Sequence, residues 1–498
     1  MSWWKSPRSF ALRIFLLALV LRLVPVVLMR DLGIGLDDMY QYDMLARSLV
    51  TGSGYRWYAQ EDLTIIKQFV DLDLSSGYDP RGVLSSFRPP LYPAFLALIY
   101  LVVGVGPERF FLARLVQAAV AASMVPLTYA LALRLSGGRF RAAVVSAWVV
   151  TLYPMLVIYP LALATENLFF VLVLSSVLVL LKAQESLGDA GGRRSGAESA
   201  WALLARSRWF ILAGLLLGLT ALTRSVSLAF AGLAVLWIWF ALRKRGMAVL
   251  TFGMVALVTL PWMVRNTLLH GRPTGIESAL GYDLYVGYHP EGSGTIQFPQ
   301  SLELLTILDD GERDLIGRAR AWEFIRAAPS RFPYLVVRRA GHFFGLERRA
   351  VSYFYSNNFF GYILAPLLGL NALVLCLPFM VLSISAAAGL ALARWRAEMW
   401  LLALFLFGYV TPHLFILGED RFHLTLVPFL AILAAFFWTG GWADVKERWK
   451  TRTGKIALLL ALAVTGLLLA NWGLELWRDM DKIKLLFGPE GNQTYFGY

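Results

Sequence analysis

Long apolar runs, separated by short clusters of arginine, glycine and proline, set the rhythm of this chain. The runs cover 10–29, 110–133, 142–160, 165–181, 209–223, 226–242, 247–264, 365–393, 399–417, 422–441 and 456–473. A helix needs about 20 apolar residues to cross a hydrocarbon core about 30 Å thick, so each run predicts a membrane-spanning helix. A twelfth run, 89–105, begins Pro89-Pro90 and carries Pro93, which suits a short juxtamembrane or re-entrant helix.

Charge placement decides between these readings. With Lys5, Arg8 and Arg13 on the inside, residues 30–88 lie outside. If 89–105 does not cross, three basic loops fall inside as the positive-inside rule requires. They are 134–141 (Arg134, Arg139, Arg141), 182–208 and 243–245. The expectation is an all-α polytopic membrane protein of about eleven spans, N-terminus inside and C-terminus outside. The first run keeps Arg13 and Arg22 and reads as an anchor, not a signal peptide.

This divides the chain into a transmembrane module (1–264) whose first external loop is 30–109, an external region (265–360), C-terminal spans (361–473) and an external tail (474–498). Residues 311–328 predict a helix within the external region. Residues 184–200, with Gly188, Gly191, Gly192 and Gly196, predict a flexible internal linker.

Composition excludes the main alternatives. Apolar residues make up 58% and charged residues 16%, against about 25% charged in soluble proteins. Mean hydropathy is +0.60, so neither a soluble globule nor a disordered chain fits. The net charge of +13 sits in inter-span loops, where it reports orientation and not a nucleic-acid partner. One cysteine, Cys376, allows no intrachain disulfide, and five histidines without an HxxxH pair speak against a haem or redox protein.

Candidate chemistry gathers at the external span ends. Gly35-Leu36-Asp37-Asp38-Met39-Tyr40-Gln41-Tyr42 follows the first span. Its aspartates read either as an acidic helix start or as a general base near the membrane, where partial desolvation raises basicity. Ser85–Pro93 contains Arg88, and Glu166 opens the span after Tyr159–Thr165. Arg109 and Arg114 flank a span start, Arg224 and Arg265 close spans, and Arg421 opens one. Snorkelling explains any one of these arginines. Their recurrence on the external side suggests a shared anion, and a guanidinium fork matches a phosphate diester.

In this order the clusters resemble the GT-C superfamily of membrane glycosyltransferases. More narrowly, they resemble the branch of protein O-mannosyltransferases and lipid A aminoarabinose transferases. The resemblance rests on Asp38-x-x-x-Tyr42-x-x-x-Ala46 with Gly52-x-Gly54-Tyr55, on Phe87-Arg88-Pro89-Pro90-Leu91-Tyr92, and on Glu166. Leu222-Thr223-Arg224, Pro261–Asn266 and Arg421 with Pro428 complete it.

It implies a GT-C-like bundle with two large external loops and an inverting transfer from a polyprenyl-phosphate sugar to a hydroxyl acceptor, at the external face of the plasma membrane. Asp38 stands at the catalytic position, with Asp37 an extra neighbour and Glu166 a supporting carboxylate. Arg88, Arg224, Arg265 and Arg421 would hold the donor phosphate, while Tyr42, Tyr92 and Asn266 would contact substrate. In the aminoarabinose transferases an acidic metal ligand precedes the basic-Pro-Pro residue. Here Phe87 occupies that position, so the implied divalent metal lacks a ligand. An O-antigen ligase or polymerase and a lipid-linked-glycan flippase are the rival readings. The first would lack the Asp-x-x-x-Tyr loop, and the second expects two related halves with broken mid-membrane helices.

Overall fold

The computed structural model describes residues 7–35, 37–68, 72, 74, 77–188, 200–359 and 361–494, without the side chains of 7, 8, 188 and 200–206. Lys5, the centre of the 184–200 linker and the last four residues of the tail lie outside the described residues.

Helices build almost everything described. The one sheet among these residues pairs Arg56–Trp57 antiparallel with Val83–Leu84, Arg56 opposite Leu84. Eight helices are long and apolar enough to cross a membrane, and nine if a bent pair counts as one. Their outward faces are apolar, as lipid requires: Leu12, Val20 and Leu28 are all exposed on the first helix.

All eleven expected runs are helical, but two depart from a plain span. Residues 142–160 form two helices, Phe140–Leu152 and Pro154–Leu161, meeting at 57°. Tyr153 between them is extended (φ −62°, ψ 114°), as a residue before proline prefers. The run at 209–223 lies in the helix Ala200–Thr223, and that at 226–242 in a shorter apolar helix, Ser225–Phe240. Leu91–Val103 has 13 residues, about 20 Å at 1.5 Å per residue, too short to cross. The expected helix at 311–328 is Asp310–Ala327, its start capped by Asp309 accepting from Glu312 N at 2.7 Å.

Arg22 turns into the bundle and is fully buried, donating to the carbonyls of Ala18 (3.1 Å) and Val150 (3.0 Å). Helices Ala365–Leu392 and Val427–Trp449 cross so closely at Gly389 that a Cβ there would lie 1.8 Å from the Leu433 carbonyl oxygen.

The segments 30–109 and 265–360 are stitched together by a buried carboxylate. Asp310 Oδ2 accepts from Ser85 Oγ (2.8 Å), Ser86 N (2.8 Å) and Phe87 N (3.1 Å). Its other oxygen takes Arg313 Nη1 at 2.9 Å. Ser86 also accepts from Ser278 N at its carbonyl (2.9 Å) and meets Ser278 Oγ at 2.8 Å. The strand that delivers Arg88 is thus held by residues of 265–360.

Two outcomes follow. Gly389→Ala should destabilise the detergent-solubilised protein by about 1–3 kcal/mol, the usual cost of overpacking, read as a lower melting temperature. Gly253→Ala, which meets open space, should leave it unchanged or slightly raised. Reporter fusions after residues 107 and 138 should read outside and inside; an inside reading at 107 overturns the topology.

Candidate functional site

The Asp38–Val50 helix starts where the chain leaves the first span. Asp37 is its N-cap, accepting from Met39 N at 2.9 Å, so this aspartate serves as the acidic helix start. Asp38, one residue later, points elsewhere. Tyr42 and Ala46 lie one and two turns further along the same face and are buried with Tyr92, Leu96 and Tyr100 of the Leu91–Val103 helix. The spacing Asp-x-x-x-Tyr-x-x-x-Ala therefore seats the helix so that its first carboxylate is presented. Tyr55 holds the next motif by donating to the carbonyls of Arg88 (2.9 Å) and Pro89 (3.2 Å). The preceding Gly54 has φ +90°, a conformation that favours glycine.

Asp38 is shared between two arginines from distant parts of the chain. Its Oδ1 pairs with Arg88 Nη2, and its Oδ2 takes Arg421 Nη1 at 2.9 Å. Arg88 Nε also donates to Gln41 Oε1 at 2.8 Å. Alongside, Arg224 Nη1 pairs with Glu166 Oε1 at 2.6 Å, and Thr165 Oγ1 donates to Glu166 Oε2 at 3.1 Å. Arg224 is extended (φ −148°), breaking the helix before it and setting its side chain at the end of that segment. Arg421 Nε gives 2.8 Å to Glu419 Oε2, which also takes Arg349 Nη1 at 3.2 Å.

Asp38, Arg349, Glu419 and Arg421 line an open cavity of about 870 Å³. Apolar side chains such as Met155, Ile158, Leu161, Phe298, Phe354 and Leu424 supply much of the remaining wall.

Burial pushes the Asp38 carboxyl up, but the Arg88 and Arg421 charges outweigh it and hold the group well below the usual carboxylate range. This reverses the expectation that desolvation raises its basicity. Asp283, half-buried on the helix Leu280–Tyr288, behaves oppositely. Burial, then the Glu277 charge, pushes it up to about 7. Glu277 is itself raised by burial, although Ser225 Oγ donates to it and Arg88 and Arg224 oppose the shift. Arginine charges thus hold Asp38 and Glu419 as anions, while burial favours the protonated form of Glu277 and Asp283.

Not every expected residue arrives. Arg265 is not at a helix end: the helix runs on to His270 and stops at Gly271 (φ 62°). Its guanidinium donates to the Ser85 carbonyl at 2.6 Å and lies over the Trp262 ring, supporting the strand before Arg88 instead of joining Asp38. Arg109 is committed to Asp43 (2.8 and 2.9 Å), and Arg114 to the carbonyls of Leu161, Leu32 and Gly33. These three weaken the single shared-anion reading.

The expected substrate contacts are also internal. Tyr42 and Tyr92 are buried edge-to-face at 5.0 Å, with Tyr92 Oη donating to Gln117. Asn266 is fully buried and its amide donates to the Gly275 and Ile276 carbonyls at 3.0 Å each.

The implied metal does not fit. Phe87 is buried against Trp57 (5.2 Å) and Tyr282 (5.6 Å), and no group of three or more His, Cys, Asp or Glu among the described residues could hold an ion. Sequence reasoning missed Arg349, Glu277 and Asp283. It gave no role to Glu419.

Because Asp283 keeps its proton in the folded chain above its ordinary value of 3.8, the unfolded chain releases that proton first as pH rises. Stability should therefore fall between about pH 4 and about 7. Asp283→Asn should flatten that fall, measured as melting temperature at pH 5 and pH 8.

No family model and no curated protein matches the chain. Among solved structures it is similar to the oligosaccharyltransferase AglB of Archaeoglobus fulgidus in complex with an inhibitory peptide and a dolichol-phosphate. Identity there is 15% and the TM-score 0.49, over 100% of this chain and 62% of that one. The same enzyme tethered to an acceptor peptide gives 16% and 0.49, with 60% of its length covered, so the chain spans about three-fifths of that protein. It is also similar to ArnT of Cupriavidus metallidurans bound to undecaprenyl phosphate, at 14% identity and TM-score 0.40, over 89% of this chain and 80% of that one.

Proposed function

We propose that the protein is a GT-C-type glycosyltransferase. It moves a hexosyl or pentosyl group from a polyprenyl-phosphate donor to a hydroxyl acceptor, with inversion, at the external face of the plasma membrane. The acceptor class is a glycolipid, lipopolysaccharide, polysaccharide or protein. The observation that carries this reading is Asp38, held between Arg88 and Arg421 in the wall of a largely apolar cavity beside the spans.

Each part of that arrangement has a use in the reaction. The apolar wall suits a prenyl tail. The acceptor hydroxyl attacks the anomeric carbon and its proton passes to an Asp38 oxygen. The bond from the anomeric carbon to the donor phosphate oxygen breaks, and the lipid phosphate leaves as an anion. Arg421, in the cavity wall, meets the charge that develops on it, while Arg88 holds Asp38 in place. Glu166 is a positioning residue, tied to Arg224.

In this reading the catalytic module of 1–264 is completed by Arg421 from the C-terminal spans, and the N-terminus is cytoplasmic. The external region 265–360 is assigned to acceptor recognition.

Purified protein given a labelled polyprenyl-phosphate sugar should release polyprenyl phosphate and form a glycoside of inverted configuration. Movement of the lipid between leaflets without cleavage would overturn the proposal. Asp38→Asn keeps the shape and removes the proton acceptor, so turnover should fall by a factor of about 10² to 10⁴. Asp37→Asn keeps an N-capping oxygen for Met39 N and should be milder. A larger loss from Asp37→Asn would move the base.

A further inference from the structure

Arg349 belongs to no motif of the sequence, yet it faces the cavity with 30% of its side chain exposed, the most open of the site arginines. Arg88, Arg224 and Arg421 show 19%, 17% and 22%. Arg88 and Arg224 do not line the cavity at all, whereas Arg349 and Arg421 do. The side chain comes from the short helix Arg349–Ser356 and is held in place by acidic partners. Its Nη1 meets Glu419 Oε2 at 3.2 Å and its Nε meets Asp420 Oδ1 at 3.4 Å.

Glu419 is buried, and its Oε2 is shared by Arg349 and Arg421 while its Oε1 has no partner. One carboxylate oxygen therefore sets two guanidinium groups side by side at the cavity wall. Each guanidinium carries five N–H groups in a rigid fork, and Arg421 commits Nε to Glu419 and Nη1 to Asp38.

We propose that Arg349 and Arg421, bridged by Glu419, form the seat for the phosphate of a polyprenyl phosphate, and that a phosphate entering it takes Arg421 away from Asp38. This deepens the glycosyltransferase reading and rests on it for the role of Asp38. A phosphate monoester or diester offers oxygens that two adjacent forks can share, each contact being charge-assisted. The carboxylates and guanidinium groups of the site pair with one another. An arriving anion must therefore compete with a carboxylate, and both members of the Arg421–Asp38 pair are part-exposed in the cavity wall, whereas Glu419 is buried. Asp38 gives up one of its two cations at the moment donor is present, so the base gains proton affinity only with substrate in place.

The test uses the full-length protein in detergent, with polyprenyl phosphate as probe and polyprenyl diphosphate and inorganic phosphate as separate arms. Arg349→Ala should weaken polyprenyl phosphate binding at least ten-fold, and Arg349→Lys, which keeps the charge without the fork, by an intermediate factor. Arg326→Ala, exposed at the far end of the Asp310–Ala327 helix, should leave it unchanged. If Arg349→Ala does not fold, Arg349→Lys carries the test, and unchanged affinity in the variant that folds overturns the seat. An equal loss in Arg326→Ala overturns it too, by showing a general charge effect.

Titration calorimetry in buffers of different ionisation enthalpy should show proton uptake on polyprenyl phosphate binding at low pH, lost in Asp38→Asn. Uptake that persists in Asp38→Asn refutes the coupling to Asp38. Tighter binding of diphosphate than of monophosphate counts against a single-phosphate seat, as does tight binding of inorganic phosphate without the prenyl chain. Arg349-dependent binding without sugar transfer would leave the seat standing and remove the glycosyltransferase reading. Sugar transfer with unaltered affinity in Arg349→Ala would do the reverse.

Discussion

Charge at the edge of a membrane is tolerated only in company, and this structure is organised around that constraint. Asp38 is neutralised by arginines 50 and 383 positions further along the chain, and Glu166 by one 58 positions further on. Removing one partner of a buried pair costs about 3–5 kcal/mol, because the other charge is left behind. The pairs therefore act as locks between segments that hydrophobic packing alone would leave free to slide. They bring the first external loop, the turn after Thr223 and the start of the Asp420–Trp449 span to one place.

The same constraint shapes reactivity. A carboxylate between two guanidinium groups is a weak base, and a weak base does not activate stray water. Its surroundings are polar on the Asp38 side and apolar towards Met155, Leu161 and Phe354. A lipid-borne anion is the kind of ligand that satisfies both.

Much of this was legible in the chain. Runs of about 20 apolar residues are unambiguous, and proline within 154–160 and 89–93 marks where helices bend or shorten. The motif around Asp38 was legible because its spacing is a helix repeat that buries Tyr42 and Ala46. That same spacing misled over Tyr42 and Tyr92, whose burial against each other makes them supports for the site and not its wall. Arg265 misled for a related reason: it sits in a motif, yet its contacts are with the strand before Arg88. Arg349 left no trace because it follows Arg348 in a short helix without a periodic signal, and an arginine doublet in an external loop reads as solvated surface. Only the fold brings it to Glu419. Asp283 and Glu277 likewise become unusual through what surrounds them, which spacing does not encode.

The grip of Asp310 on Ser85, Ser86 and Phe87 bears on how such a protein can diversify. An external region that varied freely would be a natural place to change acceptor, as a tool head is changed on a fixed shank. Here that region carries the carboxylate that satisfies three donors of the strand leading to Arg88. A loop transplanted from another protein without an equivalent acid would leave those donors unsatisfied and loosen Arg88, the partner of Asp38. Residues 85–88 and the Asp310–Ala327 helix must therefore change together or not at all. On the proposed function, a change of acceptor falls to the parts of 265–360 that do not touch this joint.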